Sequence, residues 1–162
     1  MIKPGDMSGP RVSITPNTML YHATFAKLVP NIRKNGLLVG KRPLWKDVCV
    51  NNKSTRTYFA LGIENAIGFC EVVQDEEGFP ESLIDTPIVV LCVKVGSLVY
   101  LDNKYGRQGL VCDDGMIDGG TESGTLGYRY NIPIESIGIL DKYNNVHALQ
   151  YVTRLTKGFY LG

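Results

Sequence analysis

Of all segments of this chain, the apolar run from Ile88 to Val95 restricts the possible fold most strongly. It is the longest apolar stretch of the sequence, it follows Pro87, and only Lys94 interrupts it. Valine and isoleucine favour the extended backbone of a strand. A helix that crosses a bilayer needs about 20 apolar residues, far more than this run contains. We therefore expect a β-strand here and a soluble protein.

Shorter segments with strand or helix patterns surround this run. Apolar residues at helical spacing predict a helix from Ile63 to Val73. Another helix is predicted over Asn31 to Lys34, opened by Pro30 and ended by Gly36. Further strands are predicted over residues 19–22, 57–60, 98–101, 125–130, 137–140 and 147–155. Few helices beside many strands indicate an α+β fold with a mainly antiparallel sheet.

The chain is predicted to form one domain over residues 18–162 behind an irregular leader, residues 1–17, which contains three prolines. Two polar segments, Gly40 to Arg56 and Asp75 to Asp85, are predicted to be loops. Lysine and arginine are frequent in the first of them. They would suit a pyrophosphate or an anionic macromolecule, and a plain solvated loop explains them equally well.

Charge and cysteine content exclude several classes of protein. Seventeen Lys plus Arg against sixteen Asp plus Glu give a formal charge of +1, so composition favours neither nucleic acid nor membrane as a partner. The four cysteines form no C-x-x-C pair and there are only two histidines, which indicates neither a metal site nor a disulfide framework. Cys70 and Cys92 lie in apolar runs and are predicted to be buried thiols in a reducing, cytoplasmic compartment.

Three segments carry a more specific pattern. The first runs from Leu20 to Thr24 with His22 near its end, and Asn35-Gly36-Leu37 follows after a helix. The second, Thr57 to Cys70, joins Tyr-Phe-Ala to a helix, and Tyr58 comes 58 − 22 = 36 residues after His22. The third, from Tyr128 to Ile137, contains Ile-Pro-x-Glu-x-Ile. Together they resemble the ADP-ribosyltransferase superfamily, in particular its poly(ADP-ribose) polymerase branch.

The resemblance implies the ADP-ribosyltransferase fold, with split sheets and an NAD site. By this similarity His22 binds a ribose hydroxyl, the backbone of Ala23 holds the nicotinamide amide, and Thr24 is the small hydroxyl residue that often follows. Tyr58 and Phe69 would lie against the two faces of the nicotinamide. A cationic pyridinium gains roughly 0.5 to 2 kcal/mol from each such ring.

Three further residues belong to the matching block. Phe59 and Ala60 follow Tyr58, and Ala66 stands where the polymerase branch has a serine that bonds the nicotinamide amide. One net hydrogen bond, about 0.5 to 1.5 kcal/mol, is then missing. Taken singly, His22, Tyr58 and Phe69 would be ordinary structural residues, and only their combination favours an NAD site.

The catalytic glutamate of the family has no counterpart at its usual place. The resemblance puts it near Thr125 or Leu126, whereas the nearest acid upstream is Glu122, and Glu135 belongs to the later turn. Such an acid stabilises the positive charge that grows as the glycosidic bond breaks. Two alternatives remain: a loop of different length brings Glu122 into the site, or Leu126 replaces the acid, as in mono-ADP-ribosylating members.

The sequence therefore predicts a monomeric, NAD-dependent mono-ADP-ribosyltransferase that uses NAD as substrate, releases nicotinamide and modifies a protein or nucleic-acid acceptor. One alternative is a catalytically inactive module that binds NAD, ADP-ribose or a macromolecule. Another is an RNA 2′-phosphotransferase, which is disfavoured because Tyr58 stands where that family has a second histidine. No role is assigned to His147.

Overall fold

The computed structural model describes residues 14–39, 57–74, 81–84, 86–101, 109–112 and 125–160. Within these ranges seven strands form one sheet in the order β4-β5-β2-β1-β3-β6-β7, and every neighbouring pair is antiparallel. The strands are β1 (Met19–Phe25), β2 (Thr57–Ala60), β3 (Ile88–Lys94), β4 (Leu110–Cys112), β5 (Thr125–Tyr128), β6 (Gly138–Leu140) and β7 (Val146–Ala148). The predicted α+β fold with an antiparallel sheet is confirmed.

Four α-helices accompany the sheet in the described ranges: α1 (Val29–Asn35), α2 (Ile63–Gln74), α3 (Glu81–Ile84) and α4 (Val95–Leu101). The first two were predicted with slightly shorter bounds. Pro30 lies in the first turn of α1, and Gly36 ends that helix with a φ of 76°, a conformation that glycine adopts without steric cost. A β-carbon at Gly36 would also overlap the carbonyl oxygen of Ile132. None of these helices has both the length and the apolar composition needed to cross a bilayer.

The predicted strand over Ile88 to Val95 lies inside the sheet, between β1 and β6. Because successive side chains of a strand point to opposite faces, it contributes to two layers of core. On one face, called the core face, Val89, Leu91 and Val93 join the main hydrophobic cluster. On the other, called the α2 face, Val90 and Cys92 pack with residues of α2. This double coverage explains why the run is apolar at almost every position.

The two predicted buried thiols lie on the α2 side of the sheet. Cys70 belongs to a cluster with Phe25 and Leu83, and Cys92 packs beneath α2. Burial raises the pKa of Cys70 to about 12 and that of Cys92 to about 11. Both therefore stay protonated near neutral pH, as packing residues rather than nucleophiles.

Three predicted segments differ from the structure. Leu98 to Leu101 was predicted as a strand and is the second half of α4, where Leu98 is fully buried in the main cluster. A short apolar run does not distinguish a buried helix from a strand. The predicted strand from His147 to Leu155 ends at Ala148, and a 3₁₀ turn follows, with Leu149 buried. The strand predicted to reach Tyr130 ends at Tyr128.

The predicted loops have mixed outcomes. Asp75 to Asp85 was expected to be solvated throughout, but residues 81–84 form α3 and Leu83 is buried against Phe25 and Cys70. The predicted loop from Gly40 to Arg56 lies outside the described residues. Of the predicted leader, residues 14–17 are described: Ile14 packs in the main cluster, and the carbonyl oxygen of Pro16 accepts a hydrogen bond from Gly96 N.

Candidate functional site

The candidate site lies at the seam between β1 and β2. Along its other edge β1 pairs with β3 at seven successive positions, from Met19 to Phe25. Between β1 and β2 the register contains the single pair Tyr21 and Ala60, although β2 continues with β5 through four pairs. The two halves of the sheet, β4-β5-β2 and β1-β3-β6-β7, are therefore joined by this one registered pair. Regular pairing between β1 and β2 does not continue beyond it.

His22 crosses this seam with its side chain. Its Nδ1 lies 2.8 Å from the backbone carbonyl oxygen of Tyr58. Because a carbonyl oxygen can only accept, Nδ1 is the donor, which leaves Nε2 of the neutral ring as an acceptor. The half-buried imidazole also meets the ring of Phe59 edge-on, with centroids 5.8 Å apart. Its orientation is therefore held from two directions.

The environment keeps this imidazole uncharged. Burial lowers the pKa of His22 below its usual 6.5, and the hydrogen bond to the Tyr58 carbonyl opposes that shift only in part. The ring is then neutral at pH 7, and Nε2 is ready to accept a hydrogen bond from a hydroxyl. Among the described residues, Nε2 has no hydrogen-bond partner.

Tyr58 in β2 and Phe69 in α2 are exposed aromatic residues. Tyr58 alternates with the buried Phe59 and so projects on the α2 face, where 49% of its surface is exposed. Its cross-strand neighbour in β5 is Gly127, which has no side chain to cover the ring. Phe69, on α2, is 54% exposed. Both rings therefore present free surface on the same side of the sheet.

The imidazole and the two rings are not on one face. The strand alternation places His22 on the core face, next to Phe59, and Tyr58 on the α2 face. From Tyr58, the hydrogen bond to the imidazole comes from the backbone carbonyl. A ligand that meets both side chains must therefore lie where the pairing between β1 and β2 ends, beyond Tyr21 and Ala60, a place called here the β1–β2 opening.

The other residues named from the sequence lie in the same three elements, β1, β2 and α2. Ala23, next to His22, is half-buried and keeps some free surface. Four are buried and offer little contact surface: Thr24, Phe59, Ala60 and Ala66. Ala66 faces the sheet from α2, as helical spacing predicted. The structure thus brings the two sequence segments together as neighbours across one seam.

The catalytic acid was expected near Thr125 or Leu126, and Leu126 is apolar and inaccessible. Leu126 stands opposite Phe59 in the ladder between β2 and β5, is 1% exposed, and belongs to the main cluster. It offers neither charge nor a hydrogen-bonding group. Glu122, the alternative acid, lies outside the described residues. Glu135 is exposed in a 3₁₀ turn after β5.

The sequence patterns missed two features of the structure, one at the seam and one away from it. Gly127 was overlooked, although an isolated glycine inside a strand is a known sign of close approach. His147 was given no role, and it binds Asp141: His147 Nε2 lies 2.9 Å from Asp141 Oδ2. Asp141 also accepts hydrogen bonds from the backbone N–H groups of Tyr143 and Asn145. Asp141 and His147 therefore stabilise the turn before β7.

The chain matches no model of a known protein family and no curated protein. Any functional conclusion therefore depends on the residues at the seam and on the motif resemblance.

Proposed function

We propose that this protein is an NAD-dependent mono-ADP-ribosyltransferase whose NAD site is the opening between β1 and β2. The observation that carries the proposal is the neutral imidazole of His22, fixed by the Tyr58 carbonyl at the point where the ladder stops. Because Nδ1 is the donor, Nε2 of the neutral imidazole is an acceptor, which suits a sugar hydroxyl. The same imidazole stands in the motif that resembles the NAD-binding histidine of the superfamily.

In this proposal, residues of β1 bind the ribose and the amide of the dinucleotide, and the two exposed rings contact its pyridinium. The Nε2 atom of His22 accepts a hydrogen bond from a ribose hydroxyl, and the backbone of Ala23 holds the nicotinamide amide. Tyr58 and Phe69 supply exposed ring faces for the cationic pyridinium. Gly127 leaves room beside Tyr58 for a flat group.

The proposed reaction is a displacement at the anomeric carbon of the nicotinamide ribose. The bond from that carbon to nicotinamide breaks, and its electron pair leaves with nicotinamide, which becomes neutral. A nucleophile on the acceptor supplies the electron pair of the new bond and loses its proton to water. The protein contributes orientation of the two reactants. Without a carboxylate at Leu126 we expect one slow transfer for each acceptor site and no chain elongation.

A second candidate is a module that binds NAD or ADP-ribose without turnover. Leu126 favours it, because a fully buried leucine cannot stabilise an oxocarbenium-like state electrostatically. The two candidates share the binding site and differ only in chemistry.

Three measurements on the full chain separate these candidates. Calorimetric titration with NAD tests the site, free nicotinamide tests bond cleavage, and labelled NAD with cell lysate tests transfer. Binding with label on an acceptor supports the transferase. Binding with neither label nor nicotinamide release supports the module. If NAD and ADP-ribose give no heat and do not raise the thermal midpoint, both candidates are wrong.

A matched pair of variants identifies the acid. Glu122→Gln should abolish transfer while NAD still binds if Glu122 acts in the site. Glu135→Gln is the control, because that carboxylate is exposed in a separate turn. Equal transfer by both variants would exclude Glu122 and leave Leu126 at the acid's position.

A further inference from the structure

A second concave surface lies beyond the end of β1, apart from the seam. It is a pocket of about 430 Å³ between the start of α1, the residues that lead into β3, and the C-terminal part of the described chain. Its wall begins at Ala26, four residues after His22, which is about 13 Å along an extended strand. Pockets of several hundred Å³ are of the size that small molecules occupy.

The lining of this pocket combines an apolar wall with two cations. Val29, Val152 and Leu155 pack on or within the main cluster and form the apolar part. Among the described residues of the lining, Arg33 and Lys27 are the charged ones, and none is an aspartate or a glutamate. The pocket is therefore suited to a molecule with an anionic group and an apolar body.

The neighbouring segments strengthen this charge. Residues 26–39 and 149–160 contain no acid and five basic residues, Lys27, Arg33, Lys34, Arg154 and Lys157. The whole chain is nearly neutral, with a formal charge of +1. The third lining segment, at Thr86 and Pro87, follows two acids, Glu81 and Asp85, so basic residues outnumber acids five to two in the three segments. A net positive charge of this kind would attract an anion.

Arg33 has unused hydrogen-bonding capacity. Its Nε is buried and has no partner, and it is the one side-chain nitrogen or oxygen in that condition among the described residues. Its Nη2 donates to the Gln150 carbonyl oxygen at 3.5 Å, a long contact. Buried donors in folded proteins are almost always paired. An arginine side chain with open donors is typical of sites that recognise carboxylates and phosphates.

We propose that this pocket binds a small organic anion, a carboxylate or phosphate on a compact apolar body, as a site separate from the β1–β2 opening. The guanidinium of Arg33 holds the anionic group, and a small movement of the ligand-free side chain brings Nε into contact with it. The apolar body lies on Val29, Val152 and Leu155. Lys27 is at the exposed rim and adds charge.

Titration calorimetry on the full chain at fixed ionic strength tests this site. The probes are phenyl phosphate, benzoate, inorganic phosphate and the neutral benzyl alcohol. We expect one or both aromatic anions to bind at least tenfold more tightly than inorganic phosphate and benzyl alcohol. Preference for phenyl phosphate or for benzoate identifies the anionic group. Equal binding of benzyl alcohol, or none of any aromatic anion, would overturn the proposal.

Variants locate the binding. Arg33→Met should weaken the preferred anion about tenfold or more, whereas Arg129→Met, an exposed arginine after β5, should leave it unchanged. Thr153→Trp fills the pocket from an exposed lining position without disturbing the core, and should abolish binding even if Arg33→Met does not fold. Unchanged affinity in Thr153→Trp would place the anion elsewhere, and competition by NAD would make the pocket part of the dinucleotide site. Either result overturns the proposal.

Discussion

The two edges of β1 differ sharply in how they pair with their neighbouring strands. Along the β3 edge, seven register positions pair in succession, and Val89, Val90 and Leu91 are completely buried behind them. Along the β2 edge there is one registered pair, and then an imidazole bonded to a backbone carbonyl. In a continuous ladder the backbone N–H and C=O groups already bond each other, and the paired strands leave no room for a ligand. The comparison indicates that one edge of the strand supports the fold, and the other carries the candidate site.

The largest effect is expected on the supporting edge. Leu91→Ala removes a fully buried side chain from the main cluster and should lower the free energy of unfolding by about 2 to 5 kcal/mol. Leu91 pairs with His22 across this edge, so NAD affinity of the folded protein should fall much less than in His22→Ala, which removes the binding group itself. Urea denaturation and calorimetry measure the two quantities, with Lys94→Ala, at the exposed end of the same strand, as a control expected within about 0.5 kcal/mol of wild type. A loss of affinity in fully folded Leu91→Ala as large as in His22→Ala would contradict the division between the edges.

The opposite pattern is expected for His22→Ala. It removes the Nδ1 bond to Tyr58 and the free Nε2, so NAD affinity should fall about tenfold, while the free energy of unfolding changes by about 1 kcal/mol. His147→Ala is the matched control, because that imidazole binds Asp141 far along the chain. NAD affinity should be unchanged in the control. Equal loss in both variants would mean that neither histidine marks the site.

Variants of Tyr58 test whether its exposed ring contributes to NAD binding. Tyr58→Ala should weaken NAD binding about 2-fold to 30-fold, the range that one cation–π contact of roughly 0.5 to 2 kcal/mol provides. Tyr58→Phe keeps the ring and should bind NAD within about twofold of wild type. Tyr143→Ala removes a ring that is 73% exposed in the turn before β7, and serves as the control. If Tyr58→Phe loses as much affinity as Tyr58→Ala, the hydroxyl and not the ring faces the ligand.

The smallest expected effect is the change of NAD affinity with pH. Folding lowers the pKa of His22 below 6.5, so the ring is neutral in the folded protein throughout the range above that value. The stability from this neutral state is fully present above pH 6.5 and is lost as pH falls below it. NAD affinity should therefore vary less than about twofold from pH 8 to pH 6.5 and decline below. Asp141 stays ionised over this range because its hydrogen bond to His147 lowers its pKa to about 2.

Calorimetric titration from pH 8 to pH 5 checks this last expectation, with His22→Ala as the reference. The variant should show no decline attributable to position 22. An affinity that falls already between pH 8 and pH 7 in wild type would mean that the His22 ring is charged at neutral pH in the folded protein.

Local sequence patterns predicted the elements whose residues are compatible with only one type of secondary structure. The β-branched run of β3, the Tyr-Phe-Ala strand and the glycine that ends α1 were predicted close to their observed bounds. Residues 98–101 were predicted wrongly, because a short apolar run packs equally well as a strand or as a helix. Leu98 is helical because Val95 N and Gly96 N bond the carbonyls of Thr18 and Pro16, which start the helix against the core. Such partners lie far away in the chain.

The sequence by itself determined the identity and spacing of the candidate site residues, with His22 and Tyr58 in two short strands on either side of a helix. Only the tertiary structure decided that the ladder between these strands stops at Tyr21 and Ala60, that the imidazole bonds the Tyr58 carbonyl, and that Arg33 keeps a buried donor unpaired. The physical reason is that strand register and packing depend on contacts between distant segments. Propensity and periodicity act only over a few neighbouring residues.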